Sequence, residues 1–434
     1  MSWLRALGIP SLFLMVSIWG AWFTFNGLWP RYRGGRIAMV SFFAGWLTTE
    51  LALHHIAWQV VFTGAFVWAG ALAAWPGWLG LGITLVSWAG LLRCFFAART
   101  AEDVVEAALV DGLGADYRRR IAPELLGRLG DGLDWRQLIV PIPLRRPEVQ
   151  RVRNLVYARH GSVELHCDVY HHRHMPAGAP VLLQIHGGGW VIGSKDEQGL
   201  PLMLHLAARG WVCVAVNYRL APRATFPDPM VDLKAAIRWI REHAQEFGGD
   251  PNTLIVTGGS AGGHLAALVA LTANDPAYQP GFESVDTRVD GCVAFYGVYD
   301  FVDEGRNWPH GGCRDLLEKH VMKTSLDKDR AGWERASPIY RIRPDAPPFL
   351  VIHGDRDTMV PVSEARRFAQ RLRSRTPGPV VYAEIPGAQH AFEIFPSVRT
   401  TFVVHAVERY LAFLLSRDRA RMDRGVRAAG GQRS

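Results

Sequence analysis

The chain has 434 residues, 49% hydrophobic and 20% charged, with a formal net charge of +8. That is too long for one small domain and ample for a large core. The basic excess sits at the ends, with six Arg against one Glu in residues 1–99 and six Arg against two Asp in residues 416–434. The near-neutral middle gives no basis for nucleic acid binding, and the basic ends point to an anionic membrane surface.

Between Leu7 and Leu92 the only charged residues are Arg31, Arg33, Arg36 and Glu50, and ten of the 16 tryptophans precede residue 100. Apolar runs edged by Trp and Arg predict an α-helical transmembrane region over 1–99. The first run, about Leu7 to Trp29, is long enough at about 1.5 Å per residue to cross a ~30 Å hydrocarbon core. Read instead as a secretory signal, it lacks a small-residue cleavage site and is followed by more apolar sequence. The second run, Ile37 to Trp75, is too long for one straight span. It predicts a short interfacial helix and then a span from about His55 to Ala74. "WPGW" turns the chain into a third run, about Leu79 to Phe96. The positive-inside rule sets "RYRGGR" and the segment after Arg93 in the cytoplasm. The expectation is therefore about three spans in the plasma membrane, with the large domain inside. In "ELALHH", Glu50 and His54 have helical i, i+4 spacing and are expected to satisfy each other at the interface.

Residues 100–150 begin with helical periodicity and read as an amphipathic linker helix and connection. From 151 to 415, strands alternate with helices. "NLVYA" and "VELHCDVY" form a hairpin. "PVLLQIHGGG", "WVCVAVNYRL", "NTLIVTGG", "VDGCVAFYG", "PPFLVIHGD" and "PVVYAEIPG" supply further strands, with amphipathic helices between them. This is the α/β class, a mostly parallel sheet covered on both faces, in which ligand sites lie at the carboxyl ends of strands. Residues 416–434 read as a basic, disordered tail. The five cysteines are widely spaced with no zinc-type pattern. "YHHRHMP" lacks carboxylate or cysteine company. Neither a metal nor a cofactor is expected.

Four strings follow predicted strands. Gly258-Gly259-Ser260-Ala261-Gly262 fits G-x-S-x-G between a strand and a helix, the nucleophile elbow, whose tight turn projects the serine Oγ from the sheet end. The local alternative is that Ser260 only N-caps the helix. In "HGGGW", His186, Gly187, Gly188, Gly189 and Trp190, consecutive glycines let backbone N–H groups converge on an oxyanion. Gly187 and Gly188 are the expected donors, joined by Ala261. "VIHGDRDTMVP" offers two acids, Asp355 and Asp357. "IPGAQHAF" offers His390 as general base.

Together these strings resemble the hormone-sensitive-lipase-like carboxylesterases of the α/β-hydrolase superfamily. "HGGGW" is similar to that family's oxyanion motif, "NYRLAP" with "FPDPMVDL" to the stretch after its next strand, "GGSAGGHLA" to its elbow and "GAQHAF" to its histidine loop. "HGDRDTMVP" resembles its acid loop, which implies Asp357 as the catalytic acid and hence the order Ser260, Asp357, His390. The chain departs from many members at Gly259, where they carry Asp, and at His264, where they carry Asn. The layout of membrane segment plus hydrolase resembles membrane-bound lipase/esterase proteins of actinobacteria. The resemblance implies a membrane-anchored serine esterase acting on an ester or lipid through an acyl-enzyme. The alternatives are an acyltransferase or deacylase of envelope lipids, in which an alcohol can replace water, and a non-catalytic binding protein on the same scaffold.

Overall fold

The eight segments rich in β-branched and other apolar residues form one sheet in the order β1-β2-β4-β3-β5-β6-β7-β8. The strands are β1 (Val149–His160), β2 (Val163–His172), β3 (Ala179–Ile185), β4 (Val212–Val216), β5 (Gly249–Gly259), β6 (Gly291–Phe295), β7 (Phe349–Gly354) and β8 (Val380–Ile385). The hairpin pairs antiparallel and β2 joins β4 antiparallel, while every pair from β4 to β8 is parallel. This is the α/β-hydrolase fold. The computed structural model describes residues 8–430 except 33–34, 131, 143, 176 and 309–312.

Register places the chemistry. Ile185 pairs with Gly258, Gly259 with Phe295, and Gly354 with Ile385. The turns that follow β3, β5, β6, β7 and β8 therefore emerge side by side at one edge of the sheet. The central strands β3 to β6 are almost wholly buried, because helices cover both faces.

The N-terminal part contains α1 (Gly8–Leu28), α2 (Gly35–Glu50), α3 (Ala52–Trp68) and α4 (Trp75–Arg99). Helix α1 packs along α4 through small and hydroxyl side chains. Thr24 and Ser87 hydroxyls lie 2.8 Å apart, and Thr84 donates to Ser17 at 3.0 Å. Such contacts hold helices together where no hydrophobic driving force exists between them. Two helical stretches, Gly8–Leu28 and Trp75–Leu113, are long and apolar enough to cross a membrane, and up to three if α2 and α3 count as one span. Helices α2 and α3 meet at a 91° bend. The long second apolar run is thus broken into two helices.

One expectation needs correction. Glu50 does not pair with His54. Its carboxylate forms a buried ion pair with Arg399 and accepts from Ser397 Oγ at 2.7 Å, whereas His54 Nε2 meets the carbonyl of Ile139 at 3.0 Å. A carboxylate at this depth needs a cation, and the hydrolase domain supplies it from 349 residues away in sequence. The amphipathic linker helix is α5 (Ala101–Leu113). It lies on β8, where a Cβ on Gly112 would come within 2.7 Å of Val381, and Val105, Leu109 and Leu113 are buried in the core. The final helix is Val398–Gly430.

Candidate active site

Ser260 stands between β5 and α8 (Ala261–Leu271) with φ 59° and ψ −124°. A left-handed φ in a non-glycine residue costs on the order of 1–3 kcal/mol and is kept where the surroundings enforce it. They do so here. A Cβ on Gly258 would meet the Gly262 carbonyl at 2.5 Å, and one on Gly262 would meet the Ile185 carbonyl at 2.2 Å. The turn is closed by small residues on both sides, with Ser260 N–H donating to the Phe295 carbonyl at 3.0 Å. The serine hydroxyl makes no capping bond to the helix. Capping therefore does not explain it.

Asp357 is fully buried and its carboxylate is well supplied with donors. Oδ1 accepts from the N–H groups of Met359 and Val360, both at 2.8 Å. Oδ2 accepts from His390 Nδ1 at 2.6 Å and lies 3.2 Å from His353 Nε2. Burial alone would raise this carboxyl, but His390 and the His353 and His390 hydrogen bonds hold it well below the usual carboxylate range. Asp355 instead accepts from the Gly387 N–H at 2.7 Å, a turn-stabilising role.

His390 is thus oriented by Asp357, and its own N–H donates to Gln389 Oε1 at 2.9 Å. Its ring lies against Tyr296, with centroids 4.6 Å apart, and Tyr296 in turn abuts Gly259. Ser260 and His390 therefore flank one tyrosine. Ser260 Oγ and His390 Nε2 share no hydrogen bond in the substrate-free site, and such contacts often tighten only when substrate binds.

In the glycine loop the structure separates the expected donors. The N–H of Gly187 donates to Gln198 Oε1 at 2.6 Å. Gly188, at φ 113°, makes the tight turn in which its carbonyl accepts from Ile192 at 3.0 Å. Gly187 nevertheless lies against the nucleophile turn, since a Cβ there would stand 3.1 Å from Ser260 Cβ.

His186 is not a proton carrier. Its Nδ1–H donates to the Gly187 carbonyl at 2.7 Å, its ring stacks on Tyr218, and burial lowers its pKa to about 4. Trp190 Nε1 donates to His264 Nδ1 at 3.1 Å, and His264 Nε2 contacts the Ala336 carbonyl at 2.7 Å. Those two bonds fix one neutral tautomer, and burial lowers the His264 pKa to about 4.

Sequence reasoning passed over Tyr296, Glu393, Gln198 and His353. Tyr296 had a usable signal, because it follows a strand at the sheet edge where sites collect. It donates to buried Glu393, whose pKa burial pushes up to about 7 against the pull of that hydrogen bond. Between β6 and β7, Trp333, Ala336 and Ile339 are buried in the main core. From the same stretch Phe301 packs on Trp190, with ring centroids 5.2 Å apart, and Leu316 lies 3.5 Å from where a Cβ at Gly189 would stand.

Comparison with known proteins agrees with this geometry. A family model described as BD-FAE matches residues 167–372. The probable carboxylic ester hydrolase LipM of Mycobacterium tuberculosis is 41% identical over 416 residues, covering 94% of each chain. Esterase LipQ of the same organism is 40% identical, covering 74% of this chain and 77% of its own. Among solved structures, the apo form of Thermogutta terrifontis esterase 2 superposes with a TM-score of 0.51 at 27% identity, covering 62% of this chain and 94% of the other.

Proposed function

From the premise that this chain belongs to the hormone-sensitive-lipase-like carboxylic ester hydrolases, we propose that it hydrolyses esters with a Ser260–His390–Asp357 triad while anchored in a membrane. Ser260 Oγ attacks the ester carbonyl as His390 Nε2 takes its proton. Asp357 fixes the His390 tautomer and stabilises the imidazolium, because its carboxylate stays ionised. The oxyanion is met by the N–H groups of Gly188, Gly189 and Ala261. Each such donor typically contributes about 3 kcal/mol of transition-state stabilisation. His390 then protonates the leaving alcohol, and water activated by the same ring releases the acid from the acyl-enzyme.

The observation that carries this reading is the strained Ser260 turn beside a histidine oriented by a buried, ionised aspartate. Purified enzyme is expected to hydrolyse p-nitrophenyl butyrate, and Ser260→Ala to lower the rate by at least about 10³-fold. Retained activity would reject the assignment. Helix α1, the α2–α3 pair and α4 together are the anchor, and with three spans the arginines of "RYRGGR" and Arg93 share the cytoplasmic side with the catalytic domain. Protease added to intact cells should leave the C-terminal tail uncut. Cleavage from outside reverses the orientation.

A further inference from the structure

The acid and histidine loops are bolted to the N-terminal helices. Arg356, next to Asp357, donates to the Gly27 and Leu28 carbonyls at 3.0 and 2.6 Å and so caps the C-terminus of α1. Thr358 Oγ1 donates to the Ala38 carbonyl of α2 at 3.2 Å. Trp46 Nε1 of α2 donates to the Ala391 carbonyl, one residue past His390, at 2.8 Å. The Phe42 ring meets the His390 ring edge-on, with centroids 6.1 Å apart. Helix α2 is thus a wall of the site beside the general base.

Its opposite face carries Ile37, Met39, Val40 and Phe43, all exposed, with Phe43 at 63%. Exposing four large apolar side chains on one 16-residue helix is costly in water and ordinary in lipid. Because α2 bends by 91° from α3, it lies in the plane of the membrane surface if α3 crosses it. The active-site edge of the sheet then faces the bilayer, with α2 between them.

We propose that the enzyme draws its ester from the bilayer: a long-chain acyl ester of a membrane lipid that reaches Ser260 alongside α2, past Phe43 and Phe42. This rests on the esterase assignment above and adds the substrate class and its route. Two features of the molecule argue for lipid rather than a soluble partner on this face. The exposed stripe is continuous with the helices long enough to span a membrane, and the same helix touches the catalytic histidine.

The test uses the full chain in nanodiscs of ether-linked phosphatidylcholine, in which dioleoylglycerol is the only ester. Its hydrolysis is compared with that of p-nitrophenyl butyrate in water. Wild type should hydrolyse both. Phe43→Asp should lower the ratio of lipid to soluble turnover about tenfold, because a carboxylate on the lipid face unseats the helix. Phe43→Leu should keep the ratio near wild type. A wild-type enzyme active on the butyrate and inert on the lipid overturns the proposal, as does an unchanged ratio in Phe43→Asp. If that variant loses both activities, Phe43→Ser decides: an unchanged ratio there overturns the proposal, and a lowered one supports it. Survival of both activities in Ser260→Ala would reject the esterase assignment instead.

Discussion

Gly259 precedes the nucleophile, and an Asp in its place is expected to be harmful in this chain. A Cβ at Gly259 would lie 2.6 Å from Tyr296 Oη and 2.9 Å from two of its ring carbons. Tyr296 has no room to give. It is fully buried, donates to Glu393 and stacks near His390. Forcing atoms into such a site costs about 1–3 kcal/mol, and a carboxylate buried near Glu393 adds to that. Taking at least about 2 kcal/mol, the melting temperature should fall by roughly 4–8 °C. Pushing Tyr296 aside also shifts His390, and a misplacement of ~1 Å can cost about 10²-fold in rate. The assays are thermal unfolding and turnover of p-nitrophenyl butyrate for Gly259→Ala and Gly259→Asp, with Tyr296→Phe as the second arm of a double-mutant cycle. The Tyr296→Phe change removes the nearest contact, so it should recover about 0.5–1 kcal/mol of the Gly259→Ala cost. A Gly259→Asp enzyme with wild-type stability and rate would refute this packing argument.

Other outcomes follow from the same contacts. His264 is held neutral in the folded state with a pKa of about 4, whereas the unfolded chain protonates it near 6.5. The unfolded state therefore binds the extra proton, and stability is lost as pH falls from about 6.5 to 4, by about 3 kcal/mol for this residue. His264→Asn removes the titrating ring and should remove that part of the slope in urea titrations at several pH values. Equal slopes would show that His264 titrates normally. Asp357→Asn should lower kcat by about 10⁴-fold with the fold intact by circular dichroism, because the His390 tautomer is no longer fixed. Glu50→Ala leaves Arg399 buried without its anion and should destabilise the protein by about 3–5 kcal/mol in denaturant titrations. A change below about 1 kcal/mol would mean the pair is open to water.

Strands β3 to β8 were legible because each carries a short apolar run closed within two residues by Gly, Pro or Asn, and their order along the chain brings the four motifs to one edge. The bend between α2 and α3 was legible from run length alone, since the second apolar run was too long for one span. What escaped was long-range pairing. Nothing near Glu50 announces Arg399, and i, i+4 spacing offered His54 instead. The Gln198 contact at Gly187 escaped for a similar reason. Three consecutive glycines look equivalent in sequence, and only the fold brings Gln198 Oε1 onto the first. The packing of α5 on β8 was missed because an amphipathic helix shows that one face is buried without saying against what.

The central claim is that Ser260 is the nucleophile of an acyl-enzyme. Its most direct test is stoichiometric inactivation with diethyl p-nitrophenyl phosphate, followed by peptide mass mapping. The account predicts one phosphoryl adduct per chain on Ser260, activity lost in step with labelling, and no labelling when Asp357→Asn and His390→Ala disarm the base. An enzyme that keeps hydrolysing esters with Ser260 fully modified, or that loses activity through an adduct elsewhere, would contradict it.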